Sequence, residues 1–288
     1  MNNFENSPLA QELFESGRKL GYLRSLSVSK PKKTRIFTIA NQKGGVGKTT
    51  TTVNIAAALA SKGLRVLVID LDPQGNASTA LSIEHHFDVT GIYEVLTKKL
   101  PLQNVVVQSA EYENLSVVPA TIRLASADMD LAPLTGREYK LKKALHSYLE
   151  NHDFDYVFID CPPSLGLLTV NAFAAATEVL IPVQCEYYAL EGLSQLMGIL
   201  ELIQEDVNPE LKISTFLMTM FDARTKLAAQ VVEDVRANFP KITLDAVIPR
   251  SVRVSEAPGF GQTILSYDPS SPGALAYLEA AIEIANKK

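Results

Sequence analysis

The sequence predicts an α/β protein, with a mostly parallel, twisted sheet covered by helices on both faces. Two observations carry this expectation. Short apolar runs at 35–40, 65–70, 115–119, 156–160, 178–183, 212–220 and 244–248 alternate with amphipathic stretches, notably 137–150, 189–206 and 227–238. Strands that are apolar almost throughout are buried on both faces, as parallel strands between crossover helices are. The second observation is a glycine-rich stretch, Lys43 to Thr50, between the first strand and the first helix.

The elements follow in order. Residues 1 to about 33 are richer in Asn, Ser, Lys and Pro than the rest, and SKPKK leads into the first strand. Ser7 to Leu26 carries a helical pattern through Leu9, Leu13, Phe14, Leu20 and Leu23, which Gly17 and Gly21 weaken. The expectation is a mobile or loosely docked extension over 1–33, followed by one large α/β unit over 34–288. A sharper reading makes Arg18, Lys19, Arg24, Lys30, Lys32 and Lys33 a DNA or membrane contact, diluted by Glu5, Glu12 and Glu15.

RIFTIA, residues 35–40, reads as a buried strand, and residues 49–62 as a helix closed by Gly63. The turn between them holds Lys43, Gly44, Gly45, Val46, Gly47, Lys48, Thr49 and Thr50. A glycine-rich turn entering a helix points successive backbone N–H groups into one concavity, and the helix dipole adds to their pull on phosphate. Gly47, Lys48 and Thr49 fit the end of the pattern G-x-x-x-x-G-K-[ST], but Gln42 stands where that pattern begins. Lys48 is placed to reach β- and γ-phosphates, and the Thr49 hydroxyl to ligate Mg²⁺. A turn that merely joins strand to helix would not need both side chains.

Two further strands end in acids. The run 65–70 leads to Asp70 and Asp72, at alternate positions, which suggests metal or water handling beside a phosphate loop. The run 156–160 ends at Asp160, suited to hold Mg²⁺ through a water while Thr49 binds it directly. Either strand could instead end in an acid that only caps the next turn.

Composition restricts the alternatives. The chain of 288 residues is 47% hydrophobic and 20% charged, with a net charge of −5, so nucleic-acid binding would need a local basic patch. Cys161 and Cys185 have no metal-type spacing, which disfavours a cluster and makes a reducing cytoplasm the default. No apolar run approaches the roughly 20 residues of a membrane span, and no signal-peptide pattern opens the sequence.

KGGVGKTT at 43–50, DLDPQGN at 70–76, CPPSLG at 161–166, IPRSVRVSEAP at 248–258 and GQTILSYDP at 261–269 together resemble the ParA/MinD family of P-loop ATPases. The resemblance covers roughly residues 34 to 288. It implies a deviant Walker A loop whose first lysine, Lys43, crosses a dimer interface to the partner's ATP. It implies that Asp72 orients the attacking water, with Asp70 a partner of Mg²⁺ or of loop backbone. Pro249 and Ser251 become candidate nucleotide contacts, although relatives often carry Asn where Ser251 stands. The ParA (Soj) branch fits better than MinD, because the segment 273–288 has apolar Leu275, Leu278, Ile282 and Ile284 but only Lys287 and Lys288 as cations, which reads as a core helix.

The branch implies an ATP-bound homodimer that binds double-stranded DNA non-specifically and works with a ParB-type centromere-binding partner in the cytoplasm, on the nucleoid. Arg224 and Arg253 match its DNA positions, and Arg250 and Lys226 could widen the patch. Three other classes stay open: a MinD-like ATPase at a membrane, a metabolic or metal-cluster relative, and a DNA scaffold that only senses ATP.

Overall fold

A computed structural model describes residues 8–287. Glu5 and Ser7 of the expected extension, with Lys288, lie outside them, as do the side chains of Leu9 and Glu12. The strands are β1 (Arg35–Ile39), β2 (Val66–Asp70), β3 (Val107–Gln108), β4 (Leu115–Val118), β5 (Tyr156–Asp160), β6 (Glu178–Gln184), β7 (Lys212–Phe221) and β8 (Thr243–Pro249). They form one sheet in the order β3-β4-β2-β5-β1-β6-β7-β8. Every pairing is parallel except that of the short edge strand β3 with β4.

Helices α1 (Pro8–Ser25), α2 (Lys48–Ser61), α3 (Asn76–Ala80), α4 (Ile92–Lys98), α5 (Ala127–Leu131) and α6 (Lys140–Leu149) come from the first half. The second half supplies α7 (Leu167–Ala175), α8 (Ala189–Asp206), α9 (Lys226–Asn238), α10 (Val252–Glu256), α11 (Ile264–Tyr267) and α12 (Pro272–Asn286). Alternation within the strands shows the two-sided cover. Val66 and Val68 join the core beneath α2 and α12, whereas Leu67 and Ile69 join the core beneath α4, α6 and α7. A third cluster lies between β6, β7 and helices α8 and α9. The expected helix 137–150 starts as a 3₁₀ turn over Arg137–Tyr139 before α6 begins.

Register sets the functional edge. Ile39 pairs with Asp160, and Asp70 with Asp160, so β1, β2 and β5 deliver their C-terminal ends side by side. Clefts at such ends, where successive crossovers run to opposite sides, are the usual ligand sites of open α/β sheets. Here β1 lies between β5 and β6, and β5 between β2 and β1.

Both chain-end helices pack on this frame. The alanine-rich α2 is buried along nearly its whole length and lies against α12, whose Leu275, Leu278, Ile282 and Ile284 are buried. Of the segment 273–288, residues 273–286 thus pack as a core helix, as their pattern predicts. The glycines at 17 and 21 do not break α1; its Leu23 is buried, and Lys19 pairs with Glu279 of α12 at 2.8 Å. Lys62 Nζ donates to the carbonyls of Leu23, Arg24 and Leu26 at the end of α1. That is the helix end where a cation is favourable. Leu13, Phe14 and Tyr22 are exposed.

Candidate active site

The loop from β1 into α2 is built by backbone conformations that few residues but glycine adopt. Gly45 has φ +76° and Gly47 φ +90°, and a Cβ on Gly44, Gly45 or Gly47 would meet no atom within 4 Å. The loop therefore faces open space with bare backbone. Both of its ends are pinned. Asn41 Nδ2 donates to Pro182 O (2.8 Å) while its Oδ1 accepts from Lys43 N (3.0 Å). Thr219 Oγ1, at the end of β7, donates to Val46 O (2.9 Å).

Lys48 is buried, and its Nζ donates to Lys43 O across the loop at 3.0 Å. Loss of solvation lowers its pKa, against the opposing pull of Asp160. Asp160 is fully buried and accepts from Thr49 Oγ1 (2.7 Å) and Thr52 Oγ1 (2.9 Å). Burial, and then the neighbouring Asp70, push its carboxyl up to about 7, against the two hydroxyls. A carboxylate so desolvated gains strongly from an added cation.

The donor set tests the fit to Mg²⁺. Among the described residues no three His, Cys, Asp or Glu side chains converge as a cation site. One hydroxyl and one carboxylate, Thr49 and Asp160, lie together at the loop. That sparse set suits Mg²⁺, which takes one or two protein oxygens and completes its shell with phosphates and water.

Asp70 differs from the expectation of a metal residue. Its Oδ2 accepts from Ser78 N (2.8 Å) and Ser78 Oγ (2.7 Å), and its Oδ1 from Asp72 N (3.2 Å). The carboxylate is fully buried and committed to the turn between β2 and α3. These bonds brace that turn, in keeping with the loop-backbone alternative that the resemblance allowed. Asp72 lies on the cleft wall, where its Oδ1 accepts from Gln74 N (3.0 Å).

The cleft has a volume of about 620 Å³. Gly44, Gly45, Gly47, Lys48, Thr49 and Thr50 line its floor. Asp72 and Pro73 stand on one wall, and Leu124, Asp128, Pro162 and Pro163 complete it, with Met220 at the rim. Cys161 is buried behind it, its Sγ 3.0 Å from Thr38 Oγ1, and burial pushes the thiol up to about 12, which leaves it unreactive.

Other candidates lie elsewhere. Lys43 does not line this cleft. It borders a second, small hollow with Asn41, Glu186 and Tyr188, and its ammonium pairs with the Glu186 carboxylate. Exposed Tyr187 and Tyr188 stand beside that pair. Pro249 and Ser251 are not on the cleft wall either, because β8 is the outer strand of the sheet, beyond β6 and β7. Arg224, Arg250 and Arg253 follow the ends of β7 and β8, and all three are exposed. Sequence reasoning missed Asn41, Thr219 and Glu186. Only the polar run QCEYY after β6 hinted at the last of these.

A phosphate loop between the central strand β1 and its helix, with acids at the ends of β5 and β2 beside it, defines a P-loop nucleotide-binding protein. A family model described as an AAA domain matches residues 34–213. The sporulation initiation inhibitor protein Soj of Bacillus subtilis (strain 168) is 51% identical over 251 residues, which is 87% of this chain and 98% of that protein. The chromosome partitioning protein ParA of Myxococcus xanthus (strain DK1622) is 50% identical over 251 residues, 87% of each. The chain belongs to the ParA (Soj) family of P-loop ATPases. Among solved structures, cobyrinic acid a,c-diamide synthase from Mycobacterium smegmatis with bound ATP analogue and magnesium is similar at a TM-score of 0.74 and 38% identity, over 87% of this chain and 94% of that one. The septum site-determining protein MinD with Mg-ADP from Pyrococcus horikoshii OT3 reaches 0.70 and 27%, over 87% and 96%.

Proposed function

We propose that this chain is a chromosome- or plasmid-partitioning ATPase that dimerises around ATP, binds DNA without sequence preference and releases it on hydrolysis. The placement of Lys43 carries the reading. It stands outside its own cleft, at a surface with exposed Tyr187 and Tyr188, where a second copy could receive it.

The residues divide the work. N–H groups of the loop from Gly44 to Thr50 cradle the phosphates, and Lys48, once it leaves the Lys43 carbonyl, supplies a cation to them. Thr49 and Asp160 would hold Mg²⁺, which would neutralise charge on the phosphate oxygens. Asp72 orients the attacking water, and Asp70 keeps Asp72 in place through its backbone N–H. Lys43 exchanges Glu186 for the phosphates of the partner's ATP, acting as an arginine finger does. Arg224, Arg250 and Arg253 meet the DNA backbone, and dimerisation doubles the patch and supplies avidity. A ParB-type protein accelerates hydrolysis, and the cycle runs on the nucleoid in the cytoplasm.

A MinD-like attachment through the last helix is disfavoured, since α12 is buried in the core. No described helix is long and apolar enough to cross a membrane. The test is co-sedimentation with non-specific duplex DNA under ATP, ADP or no nucleotide, at low and high salt. ATP-dependent, salt-sensitive binding that Lys43→Ala and Arg253→Glu both abolish is expected. Wild-type protein that ignores DNA in every state but pellets with anionic vesicles would overturn the reading in favour of the membrane.

A further inference from the structure

Two of the arginines at the ends of β7 and β8, Arg224 and Arg253, face acids of their own chain. Arg224 grips Asp222 with two parallel bonds, Nε to Oδ1 (2.8 Å) and Nη2 to Oδ2 (2.7 Å). Those bonds draw the Asp222 carboxyl down to about 2. Arg253 sits 3.6 Å from both Glu256 and Asp268, with Nη1 3.4 Å from the Tyr267 hydroxyl. Its guanidinium lies 5.7 Å from the Tyr267 ring centroid, and that ring stacks on exposed Phe260. Arg250 N donates to Phe221 O (2.9 Å), which straps the two loops into one surface.

Asp222 occupies the Nε–Nη2 edge of Arg224, so a phosphate can use that edge only by displacing the carboxylate. A phosphate that reaches the remaining donors of Arg224, or Arg253, must approach beside an acid of like charge. These partners do little for the fold, because solvent screens exposed pairs of this kind. Their larger effect is on what else the arginines can hold.

We propose that Asp222, Glu256 and Asp268 are built-in competitors for the DNA phosphates, which keep the arginine surface of a single protomer weak so that residence on DNA requires two protomers at once. The inference rests on the DNA-binding reading above. It makes the acids, rather than the number of arginines, the setting of DNA affinity.

Asp222→Asn is the cleanest probe. The amide that replaces the carboxylate keeps an oxygen that can accept from the Arg224 backbone N–H, a bond now made to Asp222 Oδ1 at 3.0 Å, so the turn is retained while the charge is lost. The second probe is the pair Glu256→Gln with Asp268→Asn. Glu113→Gln, an exposed acid on the opposite edge of the sheet, controls for the change in net charge. Binding of a labelled non-specific duplex to the full chain is followed by fluorescence anisotropy with a slowly hydrolysed ATP analogue and with ADP.

Both probes should tighten binding roughly three- to tenfold, whereas Glu113→Gln should change it by less than about twofold. Asp222→Asn should also bind measurably with ADP, where wild type does not. If wild type binds with the ATP analogue and both probes merely match it, the competitor role is wrong while the DNA reading stands. If neither wild type nor probes bind in any nucleotide state, the DNA reading falls and takes the inference with it.

Discussion

Two polar regions share the C-terminal edge of this sheet, and they are built on opposite principles. In the cleft, Asp70 and Asp160 have no solvent exposure and are held by partners from α2, α3 and the turn after β2. At the arginine rim, the Arg224 side chain is 87% exposed and its carboxylate partner lies two residues away. Burial makes each missing partner expensive, so the cleft has one geometry. Exposure makes partners exchangeable, as the proposed trade of a carboxylate for a phosphate at the rim requires. Under the proposed function, faithful reading of nucleotide and a reversible hold on DNA call for both designs.

The sharpest break is Lys48→Ala. Loss of the only lysine among the described residues lining the cleft should lower phosphate release at least about a hundredfold with the far-ultraviolet dichroism unchanged. Asp72→Asn should slow turnover by about the same order while a fluorescent ATP analogue still binds. Retained turnover in Asp72→Asn would move the water-orienting role to another residue.

Asp70→Ala tests the brace without touching the cleft floor. It strands the Ser78 N–H and hydroxyl and the Asp72 N–H, and should cost about 1–3 kcal/mol in a urea titration. A loss much smaller than that would show that the turn holds itself. At the rim, Arg224→Ala should leave the urea midpoint indistinguishable from that of wild type.

A pH series separates the regions most finely. Burial pushes Asp70 up to about 6 and Asp160 up to about 7, above the ordinary carboxylate value near 4. Between those values the folded chain holds protons that the unfolded chain has released. Their contribution to stability is therefore full below about pH 4 and declines as pH rises through about 6 to 7. Without nucleotide, the melting temperature should fall between about pH 5 and pH 8, and Asp160→Asn should flatten that fall. Arg224→Ala should leave it intact.

The same contrast explains what could be read in advance. The strands were legible within a residue or two because two-sided burial writes them as apolar runs. β3 was not, since Val107 and Gln108 are exposed and paired only at the edge. α7 (LLTVNAFAA) was missed for the opposite reason: it is apolar nearly all round and shows no amphipathic period. Loop residues Lys48 and Thr49, and the strand-end Asp160, announce their chemistry locally. Glu186 and Thr219 do not, because they reach Lys43 and Val46 only through the β1–β6–β7 neighbourhood. The spacing Asp70-x-Asp72 could not say which acid faces the cleft, since Ser78 decides that from α3.

Arg35 Nη1 reaches the carbonyl of Ile284, and α12 covers α2. The helix that carries Lys48 is made long before its cover. During synthesis an alanine-rich apolar face waits through more than 200 residues for its partner. Domain folding as a unit, with hydrophobic surface transiently exposed, is the setting in which chaperones act. A nascent chain paused before α12 therefore carries its phosphate-loop helix on a core whose cover has yet to be made.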